Sequence, residues 1–160
     1  MLSGFANGLF SAVLAVVLLV ANPAFAKQPI RVINGTVTKV ADGDTIHVTD
    51  NLGTKVKIRF YGIDAPETAK GRKPGQPYGD ESTQLLRQKV DRQQVRVDVM
   101  DIDMYRRLVA IVWLGNRNIN REMVAEGGAW AYRRYLDRAY ASEWIADEDN
   151  ARRAGKGLWR

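Results

Sequence analysis

The sequence predicts a small closed β-barrel with helices packed against it, an α+β arrangement. Three observations predict it: five short segments rich in β-branched residues are separated by turn residues, one helical pattern follows the third segment, and two more follow the fifth. A five-stranded barrel plus three helices in this order is the arrangement of an OB-fold. The number of strands does not by itself separate an OB-fold from other small barrels.

The first three predicted strands lie in the N-terminal half of the domain. Residues 30–40, "IRVINGTVTKV", are rich in β-branched side chains and carry turn residues at Asn34-Gly35. Residues 45–50 follow an Asp-Gly-Asp turn, and residues 54–63, "TKVKIRFYGI", follow the hairpin residues "NLG". Apolar and polar positions alternate in the third strand, so Arg59 should point away from its apolar row.

The first predicted helix follows a loop. Residues 67–80 are polar and contain several Gly and Pro, which indicates a loop. Residues 80–90 predict a short helix with Asp80 as its N-cap. Two more strands follow at 94–100 and 108–114, joined by the charged turn "DIDMYRR".

Two further helices are predicted at the C-terminal end. The first lies near residues 119–126 and ends at Gly127-Gly128. The second begins around Asp137, and Gly155 is expected to cap its C-terminus. Apolar residues that recur at helical spacing predict a buried face on this second helix: Leu136, Tyr140, Trp144 and Ala151.

The first 26 residues predict a signal peptide. Residues 9–21, "LFSAVLAVVLLVA", have the length of a signal-peptide apolar region and are short for a membrane span. Ala24-Phe25-Ala26 fits the small-x-small pattern of signal peptidase, so we expect cleavage after Ala26 and a secreted or periplasmic domain at 27–160. No Lys or Arg precedes the apolar run, and an uncleaved membrane anchor is the alternative.

Composition limits the chemistry that the domain can perform. The 24 basic and 18 acidic residues give a net charge of +6, which suits a polyanionic partner such as nucleic acid. The sequence contains no cysteine and one histidine, so disulfides, thiolate metal sites and a cysteine nucleophile are excluded, as are histidine-rich zinc sites. Catalysis would have to use carboxylates, arginines, hydroxyls or a bound cation.

Four carboxylates occur at two predicted strand ends. Asp42 and Asp44 flank a glycine in the first turn, and Asp64 and Glu67 flank Pro66, which stiffens the second turn. If the barrel brings these turns together, the oxygens form a hard cation site suited to Ca²⁺ or Mg²⁺.

An EF-hand is excluded as the origin of this pattern. An EF-hand loop that began at Asp42 would need an oxygen ligand at its fifth position, Gly at its sixth and Glu at its twelfth. Those positions hold Ile46, His47 and Gly53. Any metal is therefore held by residues that are distant in sequence.

Arginines near these acids complete a candidate phosphodiesterase site. Arg59 precedes Asp64 on its strand, and Arg106 and Arg107 stand at the entry of a later strand. A cation would polarise the phosphate, a carboxylate would orient or deprotonate water, and guanidiniums would stabilise the charge of the transition state.

Three separated motifs resemble those of the staphylococcal nuclease (thermonuclease-like) family. They are "DGDT" at 42–45, "IRFYGIDAPE" at 58–67 and "YRRLVA" at 105–110, and "GGAWAYRRY" at 127–135 is also similar. The resemblance covers most of residues 30–160. It implies an OB-fold barrel that cleaves DNA and RNA endonucleolytically with Ca²⁺, has little sequence selectivity and leaves 3′-phosphates.

The resemblance also implies a metal-ligand set. Asp44 and Asp64 would bind Ca²⁺ directly, and the backbone carbonyl of Ala65 would add a third ligand. Asp42 would lie close by and act through water.

Catalytic and substrate-binding roles follow from the same resemblance. Glu67 would be the general base or water-orienting group, and Arg59 and Arg107 would bind the scissile phosphate. Either Tyr132 or Tyr135 would face the nucleotide.

One departure from the family leaves a choice between two arginines. Many members have Tyr-Gly-Arg where this chain has Tyr105-Arg106-Arg107, so Arg107 is the catalytic arginine by alignment and Arg106 is the alternative. Lys70 and Lys73 of the basic loop are candidate nucleic-acid contacts, which would add affinity without sequence selectivity.

Two other classes of protein compete with the nuclease. A non-catalytic OB-fold module could bind DNA or RNA without cutting, and it would be free to lose Glu67 or an arginine, which this chain retains. A structural domain tethered by its uncleaved N-terminus is distinguished by whether residue 27 is the mature N-terminus. We expect a monomer without stable membrane association after cleavage.

Overall fold

The computed structural model describes residues 27–160. The signal peptide predicted at residues 1–26, with its cleavage site after Ala26, lies outside the described residues. No helix within residues 27–160 is long and apolar enough to cross a membrane. The strands are β1 (Arg31–Asp42), β2 (Thr45–Asp50), β3 (Lys55–Phe60), β4 (Ile63–Asp64), β5 (Gln94–Ile102), β6 (Leu108–Leu114), β7 (Arg117–Asn118) and β8 (Trp130–Ala131). The helices are α1 (Gly79–Val90), α2 (Ile119–Ala125) and α3 (Arg138–Arg153), followed by a 3₁₀-helix at Gly157–Trp159.

Five strands close into a barrel in the order β3-β2-β1-β5-β6. Neighbouring strands in that order run antiparallel, and β3 closes the barrel by pairing in parallel with β6, from Ile58 opposite Leu108 to Phe60 opposite Ala110. The short β7 forms a hairpin with β6, and β4 pairs with β8 outside the barrel. This closed mixed barrel with three helices confirms the predicted OB-fold class.

The turn residues at Asn34-Gly35 lie inside β1, so the sequence pattern is misleading there. Gly35 pairs with Asp50 of β2 on one side and with Val95 of β5 on the other. A Cβ at Gly35 would lie 2.5 Å from the carbonyl oxygen of Thr49, so the glycine permits a close backbone approach rather than a turn. The two ladders override the local preference of Asn-Gly.

The barrel interior is apolar and the helices cover its open sides. Buried side chains come from each of the five barrel strands, for example Val37, Ile46, Ile58, Val97 and Ile111. Leu86 and Val90 of α1, Ile119 and Met123 of α2, and Trp144 and Ala151 of α3 join the same core. The buried face predicted for the last helix is confirmed at Leu136, Trp144 and Ala151, and Tyr140 packs against it partly buried.

Helix α1 begins differently from the prediction. Asp80 lies in the first turn, and the N-cap is Tyr78, which has a left-handed φ of 68° and no side-chain cap. Gly79 comes so close to the Glu67 carbonyl that a Cβ there would lie 2.5 Å from its oxygen. The loop carrying Glu67 therefore determines where α1 starts. Helix α3 begins as predicted, because Asp137 accepts a hydrogen bond from the Ala139 N–H at 2.9 Å.

Buried polar residues attach the site to the fold. Glu148 of α3 accepts a hydrogen bond from the Ala131 N–H at 3.0 Å, and Ala131 of β8 pairs with Ile63 of β4. Asn120 is fully buried; its amide donates to the carbonyls of Tyr61 and Ala110 at 2.9 and 3.0 Å. Because every such group is paired, these contacts fix the chain on either side of Asp64 at little cost.

Candidate active site

The turn between β1 and β2 carries two buried carboxylates. Asp42 is 4% exposed and Asp44 is 2% exposed. Asp44 accepts hydrogen bonds from the Ala65 N–H at 2.7 Å and from the Thr45 hydroxyl at 3.0 Å. Its carbonyl accepts the Phe60 N–H at 2.8 Å. Asp44 thus joins the first turn to the end of β3 and to the segment after β4, which are distant in sequence.

Arg59 lies between two of the predicted metal ligands. On β3 it pairs with Thr45 of β2 and with Val109 of β6. Its Nη1 forms an ion pair with Asp44 Oδ2, and its Nη2 donates to Asp64 Oδ1 at 2.6 Å. The guanidinium therefore neutralises part of the charge on Asp44 and Asp64.

Lys70 bridges the other two carboxylates. Its Nζ donates to Asp42 Oδ2 and to Glu67 Oε2, each at 2.7 Å. Burial lowers the pKa of Lys70, but the hydrogen bonds to Asp42 and Glu67 outweigh it and raise the pKa above the ordinary value. The ammonium is thus held among acids, whereas the sequence suggested a contact with nucleic acid. Lys73 is exposed and hydrogen-bonds to Lys70 through the backbone.

Glu67 has a fixed backbone and an open side chain. Its N–H donates to Gln76 Oε1 at 2.8 Å, and its carbonyl accepts the Gln76 N–H at 2.8 Å. The side chain is 57% exposed. Gln76 was missed by the sequence analysis, because one glutamine in a loop rich in Gly and Pro carries no distinguishing pattern.

These groups form what we call the carboxylate cluster: Asp42, Asp44, Asp64 and Glu67, with Arg59 and Lys70. Four carboxylates against two cations leave a net charge of −2. All of the acidic donors are hard oxygens, so the cluster fits a hard divalent cation in chemistry and charge. Within residues 27–160, no three acidic or histidine side chains are grouped to hold a metal ion. Arg59 and Lys70 occupy those oxygens and would have to yield them to a cation.

A cleft of about 620 Å³ opens beside Arg59. Arg59 and Arg107 both line it, which brings the two predicted phosphate-binding arginines to one surface. Tyr132 and Tyr135 also line it, with ring centroids 5.0 Å apart in an edge-to-face contact. Neither tyrosine is buried, so both present aromatic surface to the cleft.

Arg107 and Arg106 have different environments. Arg107 Nε donates to Asp103 Oδ2 at 2.7 Å, and its guanidinium lies over the Tyr105 ring at 5.5 Å. Arg106 is exposed, has a left-handed φ of 61° and is not among the residues that line the cleft. The fold therefore directs Arg107, and not Arg106, towards Arg59.

Asp103 is a site residue that the sequence analysis missed. Its Oδ1 accepts the N–H groups of Tyr105 and Arg107, each at 2.9 Å, which closes the turn before β6. Burial raises the pKa of Asp103, but hydrogen bonds from Arg107 outweigh it and lower the pKa below the ordinary value. An aspartate that precedes a basic turn residue by four positions was the available pattern.

Barrel, carboxylates and arginine-lined cleft together define the class: an OB-fold hydrolase. Comparison with known protein families gives a match at residues 57–160 to the family described as staphylococcal nuclease homologue. The chain belongs to the staphylococcal nuclease family.

Individual relatives agree with this family. The chain is 38% identical over 154 residues to the micrococcal nuclease of Shigella flexneri, an alignment that covers 91% of this chain and 81% of the relative. It is 34% identical over 125 residues to the thermonuclease of Staphylococcus hyicus, which covers 77% of this chain and 73% of the relative. It is 35% identical over 123 residues to an uncharacterised endonuclease of Haemophilus influenzae, which covers 77% of this chain and 64% of the relative.

Proposed function

We propose that this chain is an exported, Ca²⁺-dependent endonuclease that cleaves DNA and RNA with little sequence selectivity and leaves 3′-phosphates. Family membership makes it a hydrolytic endonuclease that acts on nucleic acid. The observation that carries the finer proposal is the carboxylate cluster, whose charge of −2 lies beside a cleft lined by two arginines.

The metal would be held at the junction of the two turns. Asp44, Asp64 and the carbonyl of Ala65 are the proposed ligands, with Asp42 acting through water. The contact between Asp44 and the Ala65 N–H supports this set, because it brings the two turns together. When bound, Ca²⁺ would polarise a phosphate oxygen and offset developing negative charge.

Glu67 is the proposed water-orienting group and general base. Gln76 fixes its backbone, and its open carboxylate can accept a proton from water once Lys70 releases Oε2. General-base catalysis by a positioned carboxylate typically contributes about 10²–10⁴-fold to the rate.

The two arginines would bind the scissile phosphate and stabilise its extra charge. Arg107 is already oriented by Asp103 and faces the cleft. Arg59 would exchange its bonds to Asp44 and Asp64 for bonds to phosphate oxygens. Contacts to phosphate carry no sequence information, which is why we expect little selectivity. Tyr132 and Tyr135 can stack on bases of either nucleic acid.

Export is proposed from the apolar N-terminal run and the Ala24-Phe25-Ala26 pattern. N-terminal sequencing of the protein recovered from the producing cells would test it. A mature chain that starts at Lys27 is expected. A chain that retains Met1 would instead support the anchored alternative.

A cleavage assay tests the catalytic proposal. The purified protein is incubated with single-stranded DNA, double-stranded DNA and RNA in Ca²⁺, in Mg²⁺ and in EDTA, and the product ends are identified. Glu67→Gln is compared with Glu81→Gln, which removes an exposed acid in the first turn of α1. We expect Ca²⁺-dependent cleavage to 3′-phosphates that only Glu67→Gln abolishes. Bound but intact nucleic acid in every reaction would mean a binding module.

A further inference from the structure

Lys70 has an environment that a nucleic-acid-binding lysine would not need. Its side chain is half exposed, yet its ammonium is directed at two carboxylates, Asp42 Oδ2 and Glu67 Oε2. The Asp42 side chain is almost completely buried at 6% exposure. Burying a carboxylate without a cationic partner is costly, so Lys70 stabilises Asp42 in the metal-free protein.

A short backbone turn holds Lys70 in this place. The N–H and C=O groups of Lys70 and Lys73 are hydrogen-bonded to each other at 3.1 and 3.0 Å. Gly71 between them has a left-handed φ of 58°, which glycine adopts at no steric cost. The loop thus presents one lysine to the carboxylates and leaves the other exposed.

We propose that Lys70 is an internal counter-ion that competes with the divalent metal for the carboxylate cluster. In the metal-free protein its ammonium occupies Asp42 Oδ2 and Glu67 Oε2, and binding of the metal displaces it. The inference rests on the proposed function, since it assumes that Asp42 holds the metal through water and that Glu67 orients water. Neither oxygen can serve a water molecule fully while it accepts the ammonium.

Competition lowers the apparent affinity for the metal. Binding must break the two ion pairs of Lys70 and bring a second positive charge beside it, and by linkage the metal weakens the Lys70 contacts equally. Removing the ammonium should therefore tighten metal binding. Since single pairs of partly exposed charges have modest coupling, we expect about a threefold to tenfold gain.

Calcium binding by the full chain, measured calorimetrically in the absence of nucleic acid, tests this inference. Lys70→Gln removes the counter-ion. Lys73→Gln removes the same charge from the same turn, and no ion pair of Lys73 is present among residues 27–160. We expect a lower Kd for calcium in Lys70→Gln and an unchanged Kd in Lys73→Gln. Lys70→Arg retains the charge and should stay within about twofold of the parent protein.

Thermal unfolding provides a second readout that does not depend on catalysis. In EDTA, Lys70→Gln should unfold at a lower temperature than the parent protein, because Asp42 loses its partner. In saturating Ca²⁺ that difference should shrink, because the metal replaces the ammonium. A purely structural lysine would give the same difference in both conditions.

The possible results separate this inference from the proposed function. Calcium binding and cleavage by the parent protein, with unchanged or weaker calcium binding in Lys70→Gln, would overturn the inference alone. An equal gain in Lys73→Gln would also overturn it, because the effect would then be general electrostatics. A parent protein that binds no calcium would overturn both.

Discussion

Two groups of ion pairs in this molecule have similar numbers of charges and opposite designs. One is the carboxylate cluster at the end of the barrel. The other, which we call the helix network, joins the three helices: Lys89 of α1, Arg117 of β7, Arg121 and Glu122 of α2, Glu126, and Glu143 and Asp147 of α3. In both, cations bridge acids that are distant in sequence.

The two groups differ in charge balance and in burial. The helix network sets four acids against three cations, and all of its acids remain partly exposed. The carboxylate cluster sets four acids against two cations, and Asp42 and Asp44 are buried. Unneutralised charge in a buried position opposes folding. The cluster therefore retains a charge arrangement that stability alone does not explain, whereas the network suits a stabilising role.

The largest expected effect tests the cations beside the cluster. Arg107→Ala should lower the cleavage rate by about 10²–10³-fold, because a preorganised donor to the phosphate is lost. The free energy of unfolding should change by less than about 1 kcal/mol, since only the partly exposed pair with Asp103 is broken. Steady-state cleavage kinetics and denaturant unfolding measure the two effects.

Arg106→Ala is the matched control, because it removes the neighbouring positive charge from the same turn. Arg106 is exposed and does not line the cleft, so its loss should lower the rate far less. If Arg106→Ala proves the more damaging of the two substitutions, the assignment of the phosphate-binding arginine is wrong.

The next effect sharpens the contrast in charge balance. Asp64→Asn should leave the unfolding temperature in EDTA close to that of the parent protein, because asparagine still accepts the bond from Arg59 and the position is half exposed. Stabilisation by Ca²⁺ should disappear. At a calcium concentration of about 100 times the Kd, that stabilisation is about 2.7 kcal/mol in the parent protein.

Glu143→Gln is the corresponding change in the helix network. It also removes one acid that pairs with an arginine, but on α3 and away from the barrel end. The variant should keep the full increase in unfolding temperature on addition of calcium. Equal loss of the calcium effect in both variants would show that net charge, rather than the cluster, controls metal binding.

A smaller effect is expected from breaking the helix network itself. Arg121 links α2 to α3 through Glu143 and Asp147, at 2.7 and 2.6 Å. Arg121→Met keeps the apolar stem and removes both ion pairs, so the free energy of unfolding should fall by about 0.5–1 kcal/mol. The cleavage rate at a temperature where both proteins are folded should not change. A large loss of rate would remove the distinction between the two groups.

Much of the fold was predictable because it depends on local patterns. Alternation of apolar and charged residues placed β3 correctly and put Arg59 on the face away from the core. The caps of α3 were equally readable, since Asp137 and Gly155 act through groups a few residues away. The predicted turn at Asn34-Gly35 is wrong because ladders to β2 and β5 decide that position, and pairings between distant strands leave no local pattern.

The candidate site was predictable in its residue types and not in its contacts. Four carboxylates and two arginines could be selected because their charges are unusual at turns. The bridging position of Lys70 could not, because it depends on a loop conformation that closes 28 residues away from Asp42. Gln76 was missed for the same reason, since a backbone-holding glutamine resembles any other loop residue in sequence.

The smallest expected effect separates the two groups by pH. The hydrogen bond from Arg117 is the main cause that lowers the pKa of Glu122 below its ordinary value of 4.5, with burial opposing it and Lys89 adding to it. A lowered folded-state pKa means that the stabilisation is fully present above 4.5 and is lost as the pH falls through the folded value. Glu122→Gln should therefore be less stable than the parent protein near pH 7, by about 0.5 kcal/mol, and the gap should close on acidification. Denaturant unfolding across this range measures it, and about 1 M salt should narrow the gap at neutral pH by screening. A gap that persists below the folded pKa would mean that Glu122 acts through packing, and the helix network would then owe its stability to something other than charge.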